Sequence, residues 1–139
     1  MFGRSREFLS FLYPKIEKVF DGILSKNGIT AEDLYILANE VEESFIRIEA
    51  DELTYPIHIL IRYELEKEIF SNLDKEVDVD ELAEAWADKY EKYLGIRPET
   101  YSKGILQDVH WASGLFGYFP SYALGSAYSA QIYDTINKK

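Results

Sequence analysis

Residues 104–122 read GILQDVHWASGLFGYFPSY, and the rest of the 139-residue chain is organised around them. The first half of this stretch contains Gln, Asp, His and Trp in close succession. The second half, residues 114–122, is rich in glycine and aromatic residues and is called the elbow below. His110 is one of only two histidines in the sequence. If the protein performs chemistry, we expect it to involve His110 and the tyrosines of the elbow, Tyr118 and Tyr122.

Hydrophobic patterns predict helices on the N-terminal side of this stretch. Apolar residues at three-to-four spacing predict a helix over residues 4–20, which we expect Pro14 to split or kink. Thr30 is placed to cap the next helix, whose apolar residues are Leu34, Ile36, Leu37 and Val41. Residues 44–49, SFIRIE, alternate in polarity and predict a short extended segment.

Two amphipathic helices are predicted next. The first starts near Asp51 or Thr54, tolerates Pro56 in its first turn, and is expected to bury Ile57, Leu60, Ile61, Leu65 and Ile69. A loop is predicted over residues 72–77. Asp78 or Asp80 then caps a helix that Gly95 ends.

The C-terminal third is predicted to hold the remaining helices. One should open at residues 98–100 and lead into GILQDVHW, and the last should open at Pro120 and Ser121 and continue to the terminal lysines. The last segment is poor in charge and rich in aromatic rings, so we expect it to be buried. These patterns predict a mainly α-helical single domain over residues 1–139, with at most a small strand element near residues 44–49.

The charge and the amino-acid composition argue against several classes of protein. A net charge of −10 and a pI near 4.6 argue against nucleic-acid binding and against an anionic membrane surface. The sequence has no cysteine, so it can form neither a disulfide nor a thiolate zinc site. No run is long enough to cross a bilayer and no leader is recognised, so we expect a cytoplasmic protein.

Local metal motifs are missing from the sequence. His58 and His110 have no ligand-type residue at helical spacing, and no His-Glu-x-x-His occurs. A phosphate loop is also missing. We therefore predict no metal site within this chain.

Arg47 and His110 each have a functional and a structural interpretation. The planar fork of Arg47 can bind a carboxylate, or it can form an internal salt bridge to Glu49, Asp51 or Glu52. His110 beside Asp108 can be a satisfied core residue, and the tyrosines of the elbow can be packing residues.

Residues 46–51 read IRIEAD and residues 104–111 read GILQDVHW. These segments resemble the paired I-R-x-x-A-D and G-x-x-Q-D-x-H-W signatures of the carboxypeptidase Taq family of zinc metallocarboxypeptidases. The neighbouring segments ADELTYPIHILIRYELEK and GYFPSYALGSAYSAQIYD agree with that family, so the resemblance spans essentially the whole chain. It implies the helical C-terminal portion of a zincin-like metallocarboxypeptidase.

The resemblance also implies which residues would act. Arg47 would bind the free C-terminal carboxylate of a peptide, with Gln107 as a second substrate-binding residue. His110, oriented by Asp108, and an elbow tyrosine would donate hydrogen bonds to the substrate or to the developing oxyanion. Tyr118 is the first candidate for that tyrosine and Tyr122 the second.

Family members carry a His-Glu-x-x-His helix and a glutamate ligand upstream of the part that this chain resembles. We therefore expect zinc in the full-length family and no metal on this chain alone, which should be inactive. The alternative is a non-catalytic remnant or regulatory fragment that binds peptide C-termini or docks on a full-length relative. In either case, exposed apolar surface should lead to self-association or to binding of the missing N-terminal metal-binding portion.

Overall fold

The computed structural model describes residues 2–71, 74 and 76–138. The described residues form six α-helices and no strand, which confirms the mainly helical prediction. The helices are α1 (Arg6–Val19), α2 (Ile23–Lys26), α3 (Ala31–Ala38), α4 (Tyr55–Ser71), α5 (Val79–Leu94) and α6 (Pro120–Asn137). Short 3-10 turns cover Phe2–Arg4, Arg47–Glu49, Ile105–Gln107 and Trp111–Ser113. None of the helices in the described ranges is long and apolar enough to cross a membrane.

The chain divides into two compact units. The first contains residues 1–40 and 129–139, and the second contains residues 41–128. All the site residues predicted from the sequence belong to the second unit. The expectation of a single domain over residues 1–139 stays a prediction.

In the first unit, α1 passes through Pro14 as one helix, so the predicted split is wrong, while the alternative of a kink at Pro14 stays a prediction. Ser5 caps its start by accepting a hydrogen bond from the backbone N–H of Phe8. Proline lacks the N–H that would bond to the carbonyl of Ser10, four residues earlier. Because Ser10 and Pro14 are both exposed, water can replace that bond and the helix continues.

The helix α3 begins as predicted. Thr30 and Asp33 form a reciprocal capping box at its start. Arg6 of α1 pairs with Glu32 of α3, which ties the two helices together. The helix ends at Ala38, so Val41 lies beyond it rather than on its apolar face.

The core of the second unit lies between α4 and α5. It is formed by Ile61, Leu65, Trp86, Tyr90, Leu94 and Ile105. Full burial of each large apolar side chain contributes roughly 1.5–3 kcal/mol. The helix α5 has the predicted ends, since the Asp78 carboxylate accepts hydrogen bonds from two backbone N–H groups and Gly95 adopts the left-handed conformation at its C-terminus.

The buried face of α4 differs from the predicted stripe. Leu60 is 41% exposed, while Ile61 and Leu65 are buried as expected. The same buried face also includes three polar side chains spaced four residues apart: His58, Arg62 and Glu66. Three of the six buried residues of α4 are therefore polar or charged.

The predicted extended segment at residues 44–49 forms no strand, and Arg47–Glu49 is a 3-10 turn. Backbone bonds from Glu49 to Ile46 and from Ala50 to Arg47 close this turn, and side chains bind other backbone groups of the segment. The carbonyl of Phe45 accepts from Gln107 Nε2 (2.9 Å) and from the Tyr90 hydroxyl (3.2 Å), and the N–H of Arg47 donates to Gln107 Oε1. These bonds replace the pairing that a strand would need.

The predicted helix from residue 98 is also wrong, because that segment forms turns that lead into the Ile105–Gln107 turn. Gly104 has a non-helical backbone (φ −109°, ψ −126°). It is buried, and a Cβ there would lie 3.2 Å from the carbonyl oxygen of Thr100. A side chain at this position would therefore crowd the backbone of Thr100.

The last helix, α6, opens at Pro120 as predicted. None of its described residues is buried, although burial was expected for this segment. Just before the helix, Phe119 is 1% exposed. Of the loop predicted at residues 72–77, positions Asn72, Leu73 and Lys75 lie outside the described residues.

Candidate functional site

Asp108 joins two buried arginines. Its Oδ1 accepts hydrogen bonds from Arg47 Nε (3.1 Å) and Nη2 (2.7 Å). Its Oδ2 accepts one from Arg62 Nε (2.6 Å) and lies 2.5 Å from Arg62 Nη2 in an ion-pair contact. The side chains of Arg47, Arg62 and Asp108 are only 8%, 0% and 10% exposed. One carboxylate therefore serves two guanidinium groups.

The protonation of Asp108 follows from these contacts. Burial acts to raise the pKa of its carboxyl group, but the hydrogen bond from Arg47 and the charge of Arg62 outweigh burial and hold the pKa below its usual range. Asp108 is therefore ionised at neutral pH. Because arginine does not lose its proton in proteins, Arg47, Arg62 and Asp108 together carry a net charge of +1.

Arg47 reaches Asp108 through one edge of its guanidinium group. On the other edge, Nη1 donates to the Tyr55 hydroxyl at 3.1 Å. The Tyr122 ring lies beside the same group, with its centroid 5.0 Å from Cζ. The ion pair thus comes from a carboxylate 61 residues away in sequence, whereas the sequence suggested nearer partners, Glu49, Asp51 and Glu52.

The side-chain amide of Gln107 holds the backbone of Arg47 in place. Its Oε1 accepts a hydrogen bond from the Arg47 N–H at 2.9 Å. Its Nε2 donates to three backbone carbonyls, those of Phe45, Lys103 and Gly104. The amide therefore links the two signature segments and is fully used in doing so.

His110 faces the tyrosines of the elbow. Its Nε2 lies 3.1 Å from the Tyr122 hydroxyl, and its ring centroid lies 5.6 Å from that of Tyr118. Its Nδ1 is 3.8 Å from Asp108 Oδ1, which is too long for a hydrogen bond. That Nδ1 is buried and has no hydrogen-bond partner. Tyr118 is 45% exposed, whereas Tyr122 is half-buried.

Glu66 holds the elbow in place from α4. Its Oε1 accepts from the Trp111 indole N–H at 2.7 Å, and its Oε2 accepts from the Gly117 N–H at 3.1 Å. Gly114 and Gly117 both have a left-handed backbone (φ 72° and 71°), which glycine adopts without strain. The chain can therefore turn twice between Trp111 and α6.

His58 lies on α4 one turn before Arg62 and is fully buried. Its Nδ1 is 2.9 Å from the Tyr90 hydroxyl. Burial, followed by the charges of Arg62 and Arg47, lowers the pKa of His58 to about 4. The imidazole is therefore neutral at neutral pH, and the positive charge of the site comes from the arginines.

The residues that the sequence nominated are all brought into this region: Arg47, Gln107, Asp108, His110, Tyr118 and Tyr122. Sequence reasoning missed Arg62, Glu66 and Tyr55. The available signal was spacing, because His58, Arg62 and Glu66 recur every four residues on a helix whose other buried residues are apolar.

The side chains of this region do not fit a metal ion. Across residues 2–71, 74 and 76–138, no three His, Asp or Glu side chains are grouped so that they could hold one. Asp108 is occupied by two arginines, and Glu66 by two N–H donors. These two carboxylates are therefore not available as ligands to a metal ion.

Comparison with known proteins gives a consistent match over this chain. Residues 1–139 match the family described as carboxypeptidase Taq (M32) metallopeptidase. Carboxypeptidase 1 of Bacillus subtilis (strain 168) is 54% identical over 130 residues, which cover 94% of this chain and 25% of that protein. Thermostable carboxypeptidase 1 of Thermus thermophilus is 47% identical over 131 residues, which cover 94% of this chain and 24% of that protein.

Solved structures of carboxypeptidases also match this chain. A carboxypeptidase from Pyrococcus furiosus superposes with a TM-score of 0.86 at 46% identity, covering 99% of this chain and 26% of that one. Metallocarboxypeptidase 1 of Trypanosoma cruzi superposes with a TM-score of 0.87 at 36% identity, with the same coverage of 99% and 26%. The chain spans about a quarter of the length of these relatives and matches their C-terminal portion. The chain belongs to the carboxypeptidase Taq (M32) family of metallopeptidases.

Proposed function

We propose that this chain is the substrate-binding portion of a zinc-dependent metallocarboxypeptidase, and that it binds the free C-terminal carboxylate of a peptide. The observation that carries this proposal is the buried pair of arginines that shares the single carboxylate of Asp108. Two guanidinium groups that share one carboxylate retain donor capacity and favour the binding of a small anionic group. A peptide carboxylate has the planar geometry that a guanidinium group binds.

In this proposal, Arg47 binds the carboxylate through the edge that does not face Asp108. The Tyr55 hydroxyl shares that edge and orients it. Gln107 contributes by holding the backbone of Arg47, since its own amide is already used. The ion pair with Asp108 orients the guanidinium group of Arg47.

His110, Tyr118 and Tyr122 are proposed as hydrogen-bond donors to the substrate near the scissile bond. The contact between His110 Nε2 and the Tyr122 hydroxyl supports a shared role. The half exposure of Tyr118 supports a direct contact with substrate. The zinc ion and its activated water would be supplied by the remainder of such an enzyme.

The binding test uses isothermal titration of the 139-residue chain with a short peptide in free-acid and amidated forms. The free acid should bind more tightly, and Arg47→Ala should abolish the difference because it removes the proposed fork. Arg97→Ala is the matched control, since it removes an equal charge at an exposed ion-pair cluster with Glu84, Asp88 and Glu91. Equal binding of the acid and the amide by the unaltered chain would refute the proposal.

The chain alone is expected to be inactive, because no group of side chains among its described residues could hold a metal ion. The purified chain should release no C-terminal amino acid from peptides, with or without added zinc or cobalt. Mass spectrometry of the peptide after incubation measures this directly. Metal-dependent release by pure protein would show that the chain assembles a site of its own.

A second candidate function is docking, either on the metal-binding portion of a relative or on another copy of this chain. The exposed apolar side chains along α6, including Leu124, Tyr128 and Ile132, favour it. Both functions are proposed for the cytoplasm, where a protein without cysteine needs no oxidising environment.

A further inference from the structure

Arg62 is a charged residue that cannot touch a ligand directly. Its side chain is 0% exposed. Its Nη1 donates to the carbonyl oxygen of His58 at 2.7 Å, and its Cζ lies 4.5 Å from the centroid of the Trp86 ring. Arg62 also pairs with Asp108, and its Cζ lies 5.3 Å from the centroid of the Phe119 ring. A buried guanidinium group fixed on every side must act through its neighbours.

The neighbour that matters is Asp108. Without Arg62, Asp108 and Arg47 would form a neutral one-to-one pair, and the attraction of Arg47 for an anion would be largely cancelled. With Arg62 in place, the negative charge of Asp108 is shared between two cations. Electrostatic attraction over a few ångströms inside a protein is much stronger than in water, so this difference is large.

We propose that Arg62 is a positioning residue for carboxylate recognition: it neutralises Asp108 and so leaves the charge of Arg47 available to an anionic ligand. This inference rests on the proposed function, in which Arg47 meets a peptide carboxylate. It adds a residue that belongs to neither signature segment. It also predicts that loss of the Arg62 charge can be offset by loss of the Asp108 charge, which a purely structural role for Arg62 would not predict.

The test measures the ratio of free-acid to amide affinity by isothermal titration in the full 139-residue chain. Arg62→Met keeps the aliphatic stem and removes the charge, so the ratio should fall at least about tenfold. The double variant Arg62→Met/Asp108→Asn removes one positive and one negative charge, so Arg47 no longer faces an unshared carboxylate, and the asparagine amide oxygen can still accept from Arg47 and hold its orientation. It should therefore recover most of the ratio, even though it carries one more change at a buried site.

Arg62→Lys is the conservative variant, and it should keep the ratio because it keeps the charge. Near-ultraviolet circular dichroism reports whether each variant is folded, and Arg97→Met controls for loss of an exposed charge. If the folded double variant binds no better than Arg62→Met, the proposal is overturned. If Arg62→Met does not fold, a folded Arg62→Lys variant that has lost the ratio also overturns it.

These outcomes separate the two proposals. If the unaltered chain does not distinguish the acid from the amide, the proposed function fails. If the unaltered chain distinguishes them and Arg62→Met does so equally well, only the inference about Arg62 fails.

Discussion

His58 makes the stability of this protein depend on pH. Its pKa is about 4 in the folded chain, well below the value near 6.5 expected when the chain is unfolded. The unfolded state therefore binds more protons between these two pH values, so stability falls as the pH falls through that window. The complete loss is roughly 3 kcal/mol. Asp108 adds a further loss at lower pH, because its pKa is also held below its unfolded value.

His58→Asn isolates this effect, since the asparagine amide can still donate to the Tyr90 hydroxyl but does not titrate. Between pH 7 and pH 5, the unaltered chain should lose about 2 kcal/mol more unfolding free energy than the variant. Urea unfolding at the two pH values measures the difference. Equal losses in both proteins would show that His58 is not held neutral.

Single residues of the site were predictable where the sequence departs from ordinary composition. Arg47 stands among apolar residues, and Gln107, Asp108 and His110 crowd into a few positions, so each was visible from the sequence. Arg62 and Glu66 were not, because a charged residue on a predicted amphipathic helix is normally assigned to its solvated face. Their burial depends on partners 46 and 45 residues away, Asp108 and Trp111.

The start of α5 depends on one side chain. Asp78 Oδ1 accepts from the N–H groups of Asp80 (2.8 Å) and Glu81 (3.1 Å). Asp78→Ala should lower the unfolding free energy by about 1 kcal/mol, because these N–H groups lose their partner. Asp78→Ser, which keeps an acceptor, is the control and should cost much less. A urea midpoint for Asp78→Ala equal to that of the unaltered chain would contradict the capping role.

Elements were predicted well where local chemistry decides their ends, as with Thr30, Asp78, Gly95 and Pro120. They were predicted poorly where distant groups supply the backbone partners. Residues 44–49 have the alternation of a strand, yet the Gln107 amide takes up their hydrogen bonds. Local sequence does not encode such a partner, since the two segments meet only after the intervening helices pack.

Much apolar surface is left open across the described residues of the chain. Leu124, Tyr128 and Ile132, four residues apart on α6, are 57%, 60% and 61% exposed. Exposed apolar surface favours association, so we expect dimers or larger species in light scattering at high protein concentration. Ile132→Glu should shift the chain toward monomer, and Gln131→Glu, at the neighbouring exposed position, should not. A monodisperse monomer at high concentration would contradict this expectation.

The bond between Gln107 and the backbone of Arg47 spans 60 residues of chain. The proposed binding of a carboxylate at Arg47 therefore requires α4 and α5 to be packed, because unfolding would separate the guanidinium group from Asp108 and Gln107. A ligand that binds the closed form alone raises the melting temperature in proportion to the logarithm of its concentration. If Arg47 binds peptide termini as proposed, a bound peptide would therefore protect residues 41–128 from unfolding and from proteolysis.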